Sequence, residues 1–558
     1  MTFELTIFIS LMISIGIYLV SVLLSKVPED FDGFHFAKQT LSLTDFYEST
    51  FMYGLQIAVL ALFAAWGYAH GLFSLVVPVF WFLGYWLIAR LATAGRLDDF
   101  LSTTQLKTIH HFIADKSHLK TVAILAALVS LLGISGPAMY EVSVVSHAID
   151  ETAITDRQLY VVLFGLLVVV SAVYMSWGGM RGVVKTDRLQ FVAGYFCFGG
   201  VFAFLLYQLA DRITPQDAVA IGMLALCVTL AIAMIKTHIA HRLVKTDIAD
   251  EHHCAISPYM AWHAFLIPAM FVIALVMIFW KQPEAINPVT ALWGFVSNEF
   301  GSPFPWIAFI SLLIANGLYQ LVDVGHWQRI LSLKIDKSEI IVARSVVADA
   351  SLSAGGSSAL SWIMAILFGV MVRKILPEAD PYTALVAVSQ LFKANFDLLY
   401  WNIATLAWFI ALAAVMFSTL DSLMAGVAVT VHNDLVGKEG NSRFEVLKAR
   451  LLTVALLIAA YFIYLWLEFA SGGDPSAILY LCWSFQIALA PAILASFISP
   501  MPGWAIILSI VAGCTAALEP FLTGTPGEVF NRSPLWALLA SSAVLIALKA
   551  GNKKVTPT

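Results

Sequence analysis

Stretches of about twenty predominantly apolar residues recur along nearly the whole chain, and that is the length an α-helix needs to cross a hydrocarbon layer. We read about fifteen of them. They lie near 3–25, 49–70, 72–93, 119–145, 157–177, 188–210, 217–236, 257–280, 304–325, 346–373, 400–433, 446–469, 476–497, 503–522 and 534–550. The 12% of charged residues agrees with this, because a soluble domain carries about a quarter. The expected architecture is an all-α integral membrane domain, residues 1–558, with no linker separating soluble parts.

The first stretch has no basic residue before it, a long apolar run, and Lys26 after it. These features favour a retained helix over a cleaved leader. With the N-terminus outside, about 24 Lys and Arg fall in inside loops and about seven in outside loops, as the positive-inside bias requires. Arg96, Lys107, Lys116, Arg181, Lys185, Arg188, Arg329, Lys334, Lys337, Lys438, Arg443, Lys553 and Lys554 count as inside. The reading is therefore a multi-pass protein of the cell membrane, N-terminus outside and C-terminus cytoplasmic. A net charge of −5 without basic or acidic tails gives no sign of a nucleic-acid partner. The five cysteines form no C-x-x-C pair. The segment holding His238, His241, His252, His253 and Cys254 matches no tetrahedral ligand spacing, so no metal beyond sodium is assigned.

Three polar strings interrupt the apolar pattern. The first is Gly178-Gly179-x-x-x-Val183-x-x-Thr186-Asp187-x-x-Gln190. The second is Asp323-x-x-x-x-Gln328-Arg329-x-Leu331-x-x-Lys334, placed at the cytoplasmic exit of the ninth span. The third is Phe417-Ser418-Thr419-Leu420-Asp421-Ser422, with a looser match from Trp483 to Pro491. A carboxylate inside a membrane span is costly unless it pairs or handles an ion. Together, in this order, the strings resemble the sodium:solute symporter family, which includes sodium–proline and sodium–sugar symporters, over about residues 45–500.

That resemblance implies a leucine-transporter-type fold: two inverted five-helix repeats whose first helices are broken. Repeat 1 is expected at 45–210 and repeat 2 at 304–497, with an extra N-terminal helix at 3–25, an inserted pair at 217–280 and C-terminal helices at 503–550. Five helices plus two inserted ones make repeat 2 begin on the opposite face, as inversion needs. The principal sodium site then comprises backbone carbonyls of Met52 and Leu55 with the hydroxyls of Ser418 and Thr419. Hard oxygens of this kind suit a hard cation. Asp187, Asp421 and Ser422 are the second-site candidates, the alternative for Asp187 being an ion pair with Arg181, Lys185 or Arg188. Candidate solute contacts are Tyr53, Gln56, Tyr140, Glu141, Tyr319, Gln320, Trp483 and Gln486. No intramembrane Arg or Lys is evident, and His326 reads as a surface histidine. The implied function is sodium-coupled symport of a small polar solute by alternating access. It needs no cofactor and is not an enzyme's. The alternatives are proton coupling, or a solute sensor working with a separate signalling partner.

Overall fold

In a hydrocarbon layer every backbone N–H and C=O must find its partner within the protein, so apolar runs of this length fold as helices. The computed structural model describes all residues except 1, 24–29, 38–39, 103–107, 150–164, 167, 170–178, 211, 246–264, 282–285, 335–339, 380–383, 437–442, 471–474, 500, 524–528 and 553–558. Among the described residues, eleven helical stretches are long and apolar enough to span a membrane, and three shorter apolar helices accompany them. Three of the eleven, 57–93, 306–332 and 478–498, hold two helices in succession. The expected span at 157–177 falls almost wholly outside the described residues, as do His252, His253 and Cys254.

The helices that frame the centre are α1 (Phe3–Leu23), α2 (Phe31–Phe36), α3 (Leu43–Gly54), α4 (Ile57–His70), α5 (Val76–Thr93), α6 (Ile109–Ser117) and α7 (Thr121–Ile149). They continue with α8 (Gly179–Gln208), α9 (Pro215–Lys245), α10 (Leu266–Lys281), α11 (Pro288–Asn298), α12 (Trp306–Val322) and α13 (Val324–Ser332). The last are α14 (Ile340–Ile375), α15 (Ala384–Ala394), α16 (Leu399–Val436), α17 (Arg443–Ala470), α18 (Pro475–Ile487), α19 (Ala490–Ile498), α20 (Gly503–Ala517) and α21 (Val529–Asn552). Large apolar side chains such as Phe8, Leu132, Met234, Ile273, Phe462 and Ile546 point outward. A surface this apolar suits lipid rather than water. The protein is a multi-pass membrane protein.

Among the described residues, two membrane helices are broken in mid-course by a residue in an extended conformation. The first, expected as one span at 49–70, is α3 followed by α4. Leu55 and Gln56 leave the helical conformation, Gln56 being extended at φ −74°, ψ 133°. The second, expected at 304–325, runs on to Ser332 as α12 and α13, and Asp323 is extended between them at φ −81°, ψ 111°. Asp323 therefore stands at an interruption inside the span, where the expectation had the span's exit. The expectation missed the continuation because Gln328 and Arg329 look like loop residues on composition alone.

The two broken helices run antiparallel. The strand-like residue before α3 pairs with the residues that follow α13: Leu41 N–H donates to Ser332 C=O (3.0 Å) and Lys334 N–H to Leu41 C=O (2.9 Å). At the other end Leu72 N–H, just after α4, donates to Glu299 C=O (2.8 Å), just before α12. Helices α4 and α5 pack on α14, α5 also packs on α12, and α7 packs on α16 and α18. Helix α1 lies along α16, the α20–α21 pair packs on α18 and α12, and α9 touches α3, α10 and α14.

Candidate functional site

Breaking a helix in a dry interior leaves N–H groups at the new N-terminus and C=O groups at the new C-terminus without partners. The two breaks solve this differently. At the start of α4 the carboxylate of Glu141, from α7, accepts hydrogen bonds from Ile57 N–H (2.7 Å) and Ala58 N–H (3.1 Å). A carboxylate is the right group for the positive end of a helix. At the start of α13 the cap is local. Asp323 accepts from Gly325 N–H (3.0 Å), and the same oxygen accepts from Tyr53 O–H (2.6 Å). Asp is a favoured N-cap, which is why the second string opens with one. Glu141, Tyr53 and Asp323 are thus engaged in holding the two breaks.

Opposite the first break lies α16, packed against α3 and α8. Its Ser418 O–H donates to Asp187 Oδ1 (2.5 Å), and Ser49 O–H, one turn before Met52 on α3, donates to Asp187 Oδ2 (2.5 Å). Thr419 is fully buried and its hydroxyl has no hydrogen-bond partner among the described residues. An orphaned buried hydroxyl is costly unless something else ligates it. Leu55 N–H is shared between the carbonyls of Phe51 (2.9 Å) and Met52 (3.0 Å), which leaves Met52 C=O with acceptor capacity at the break. Asp421, also buried, accepts from Thr186 O–H (3.3 Å), and Ser422 accepts from Arg329.

Two of the three basic residues near Asp187 in sequence have other partners. Arg188 pairs with Glu48 (3.0 Å) and Arg181 donates to Thr40 (3.0 Å). The cation beside Asp187 is Arg329, at 3.6 Å, and both side chains are fully buried. Arg329 is therefore not a loop residue, and the expectation that no Arg or Lys lies within a span is overturned twice. Lys236 of α9 is also buried, 2.8 Å from Glu48 and over the Phe191 ring. His326 is likewise buried, its ring edge-on to Tyr85 (5.1 Å between centroids), and neither ring nitrogen has a hydrogen-bond partner among the described residues. On the helix that carries Asp187, Gly179 has φ +56°, a conformation glycine adopts without strain, and a Cβ there would strike the backbone of Phe34.

Aromatic rings form a continuous chain that takes in the solute candidates Tyr319 and Trp483. Tyr85 neighbours Trp81, Trp81 stacks on Tyr319 (5.6 Å), and Tyr319 packs against Trp483 (5.5 Å). The indole N–H groups of Trp81 and Trp483 and the amides of Gln320 and Gln486 are buried without a hydrogen-bond partner among the described residues. Gln56 is buried at the first break and does not cap α4. Tyr140 is buried on α7 beside Glu141. Trp81 and Tyr85 were not among the candidates, because α5 carries no polar string to mark them.

No family model matches the chain, and no curated protein matches its sequence. Solved structures do. The chain is similar to a Na+-coupled sialic acid symporter in its substrate-bound outward-open state, with 14% identity, 97% of this chain and 98% of that chain covered, and a TM-score of 0.62. It has the leucine-transporter-type fold. A weaker likeness, with a TM-score of 0.46 and 12% identity over 95% of this chain and 96% of that one, is to Mhp1, a nucleobase-cation-symport-1 family transporter in a closed conformation with bromovinylhydantoin bound.

Proposed function

We propose that this protein is a secondary active transporter in which sodium moving down its gradient drives uptake of a small, uncharged polar solute by alternating access. The observation that carries the reading is the Thr419 hydroxyl, buried without a hydrogen-bond partner among the described residues on a helix packed against α3, next to Ser418, which donates to Asp187. Interrupted helices near the membrane centre leave carbonyls for a cation and N–H groups for a solute. Met52 C=O, Leu55 C=O, Ser418 and Thr419 make up the principal sodium site in this reading. Repeat 1 takes residues 45–210 and repeat 2 residues 304–497, and the chain lies in the cell membrane with its C-terminus cytoplasmic.

The solute class follows from which groups are already engaged. Glu141 caps α4, Asp323 holds Tyr53 and α13, and Arg329 pairs with Asp187. Among the described residues at the breaks, what stays available is neutral: amides, indole N–H groups and His326, beside flat aromatic walls. Such a lining matches a molecule that both donates and accepts hydrogen bonds and has an apolar face. A carboxylate would meet no free cation there.

The test is thermal unfolding of the purified protein in NaCl and in KCl at equal ionic strength, with the Ser418→Ala/Thr419→Ala double variant alongside. A ligand at a hundredfold excess over its dissociation constant stabilises by about 2.7 kcal/mol. The expected result is a sodium-specific rise in melting temperature that the double variant lacks, and a further rise in sodium with uncharged solutes but not with carboxylates. Equal melting in both salts up to high sodium would reject the sodium site.

A further inference from the structure

We propose that the Arg329 guanidinium is a resident cation that fills the second cation position of this transporter, so that one sodium ion, not two, is bound per chain. The inference deepens the sodium-coupled reading above and rests on it for the first site. The second position was marked in the sequence by Asp187, Asp421 and Ser422. Two of these three contact Arg329: Nη2 donates to Ser422 Oγ (2.6 Å) and lies 3.6 Å from Asp187 Oδ2. Nε donates to Ser49 Oγ (2.9 Å), and Nη1 donates to Gly325 C=O (3.2 Å). The carbon of the guanidinium sits 4.4 Å from the centroid of the Tyr53 ring. A carboxylate, two hydroxyls, a carbonyl and a π face are together the ligands that a bound monovalent cation would take.

The position is sealed. Arg329 and Asp187 are fully buried, so each charge needs the other in a low-dielectric interior. A hydrated sodium ion cannot be added beside the guanidinium without placing a second positive charge a few ångströms from the first. The guanidinium also remains charged at any working pH, unlike a lysine. Its attachment explains what a tethered cation can do that a free ion cannot. Arg329 is carried on α13, six residues beyond the second break, while its partners come from α3 (Ser49), α8 (Asp187) and α16 (Ser422). Movement of α13 therefore carries the charge with it, and the cation is never released to either side of the membrane.

Equilibrium binding of radiolabelled sodium to the purified full-length protein tests this, comparing wild type with Arg329→Gln and Arg329→Lys. The expected counts are one sodium per chain for wild type, two for Arg329→Gln, in which the emptied pocket keeps its carboxylate and hydroxyls, and one for Arg329→Lys, which keeps a tethered charge. Two ions per wild-type chain overturn the proposal without any variant, which covers the case that Arg329→Gln does not fold. A count that stays at one in folded Arg329→Gln also overturns it. No binding in wild type with one ion in Arg329→Gln rejects the Ser418–Thr419 site and upholds the resident cation. No binding in either protein rejects both.

Discussion

At the scale of single residues, the interior of this protein is held by a few charges that each do a defined local task. Glu141 shows this most directly. It was expected among the solute contacts, and its two oxygens are instead taken by the N–H groups of Ile57 and Ala58. Hydrogen bonds to a charged acceptor are worth more than neutral ones. Glu141→Gln keeps the size but can accept through one oxygen only and brings an NH₂ against an N–H. We expect it to lower stability by about 1–3 kcal/mol, read as a fall in melting temperature. A solute-contact role predicts instead an unchanged melting temperature in the absence of solute. Sequence alone marked Glu141 as a costly buried acid, but nothing along the chain says that its partner is a helix end 84 residues away.

At the scale of elements, α4 and α14 approach so closely that each uses a glycine against the other's backbone. A Cβ on Gly67 would lie 2.2 Å from the carbonyl oxygen of Ile366, and one on Gly369 would lie 1.9 Å from that of Ala64. Membrane helices lack a hydrophobic drive toward one another and rely on this close packing. Gly67→Ala and Gly369→Ala must push backbone rather than a flexible side chain. Each is expected to cost at least the usual 1–3 kcal/mol, roughly, of overpacking, measured as a lower melting temperature or loss of a monodisperse peak. Gly54 and Gly67 were the two glycines of the first broken helix visible in the sequence. Only Gly54 is at the break, and Gly67 serves the α4–α14 contact. Glycine marks a place where something comes close, and the sequence does not say whether that is a bend or a neighbour.

At the scale of the whole molecule, α9 is more than an appendage. Its Lys236 is buried against Glu48 of α3 (2.8 Å), and Arg188 of α8 reaches the same carboxylate (3.0 Å). Helix α9 is thereby tied to the first half of the first broken helix. Removing one member of a buried pair costs about 3–5 kcal/mol, whereas replacing both by neutral groups costs far less. Lys236→Met should therefore destabilise strongly, and Glu48→Gln/Lys236→Met should recover most of the loss in the same unfolding experiment. If the double variant is as unstable as the single one, α9 contributes packing and not a charge link.

The sequence by itself determined what depends on composition and local chemistry. Apolar runs of membrane length had to be helices, because no other open structure satisfies its backbone in lipid. The strings around Asp187, Asp323 and Ser418 had to matter, because polar groups there are too costly to be idle. Only the tertiary structure decided which of those groups meet. Asp187 meets Arg329, 142 positions away, while Arg181 and Arg188, its neighbours in sequence, contact Thr40 and Glu48. Asp323 ends one half-helix and caps the next, a fact invisible to hydropathy because the span stays apolar on average across the break. Charge pairing in a dry interior is set by which helices cross and at what height, and that is a property of packing rather than of neighbours along the chain.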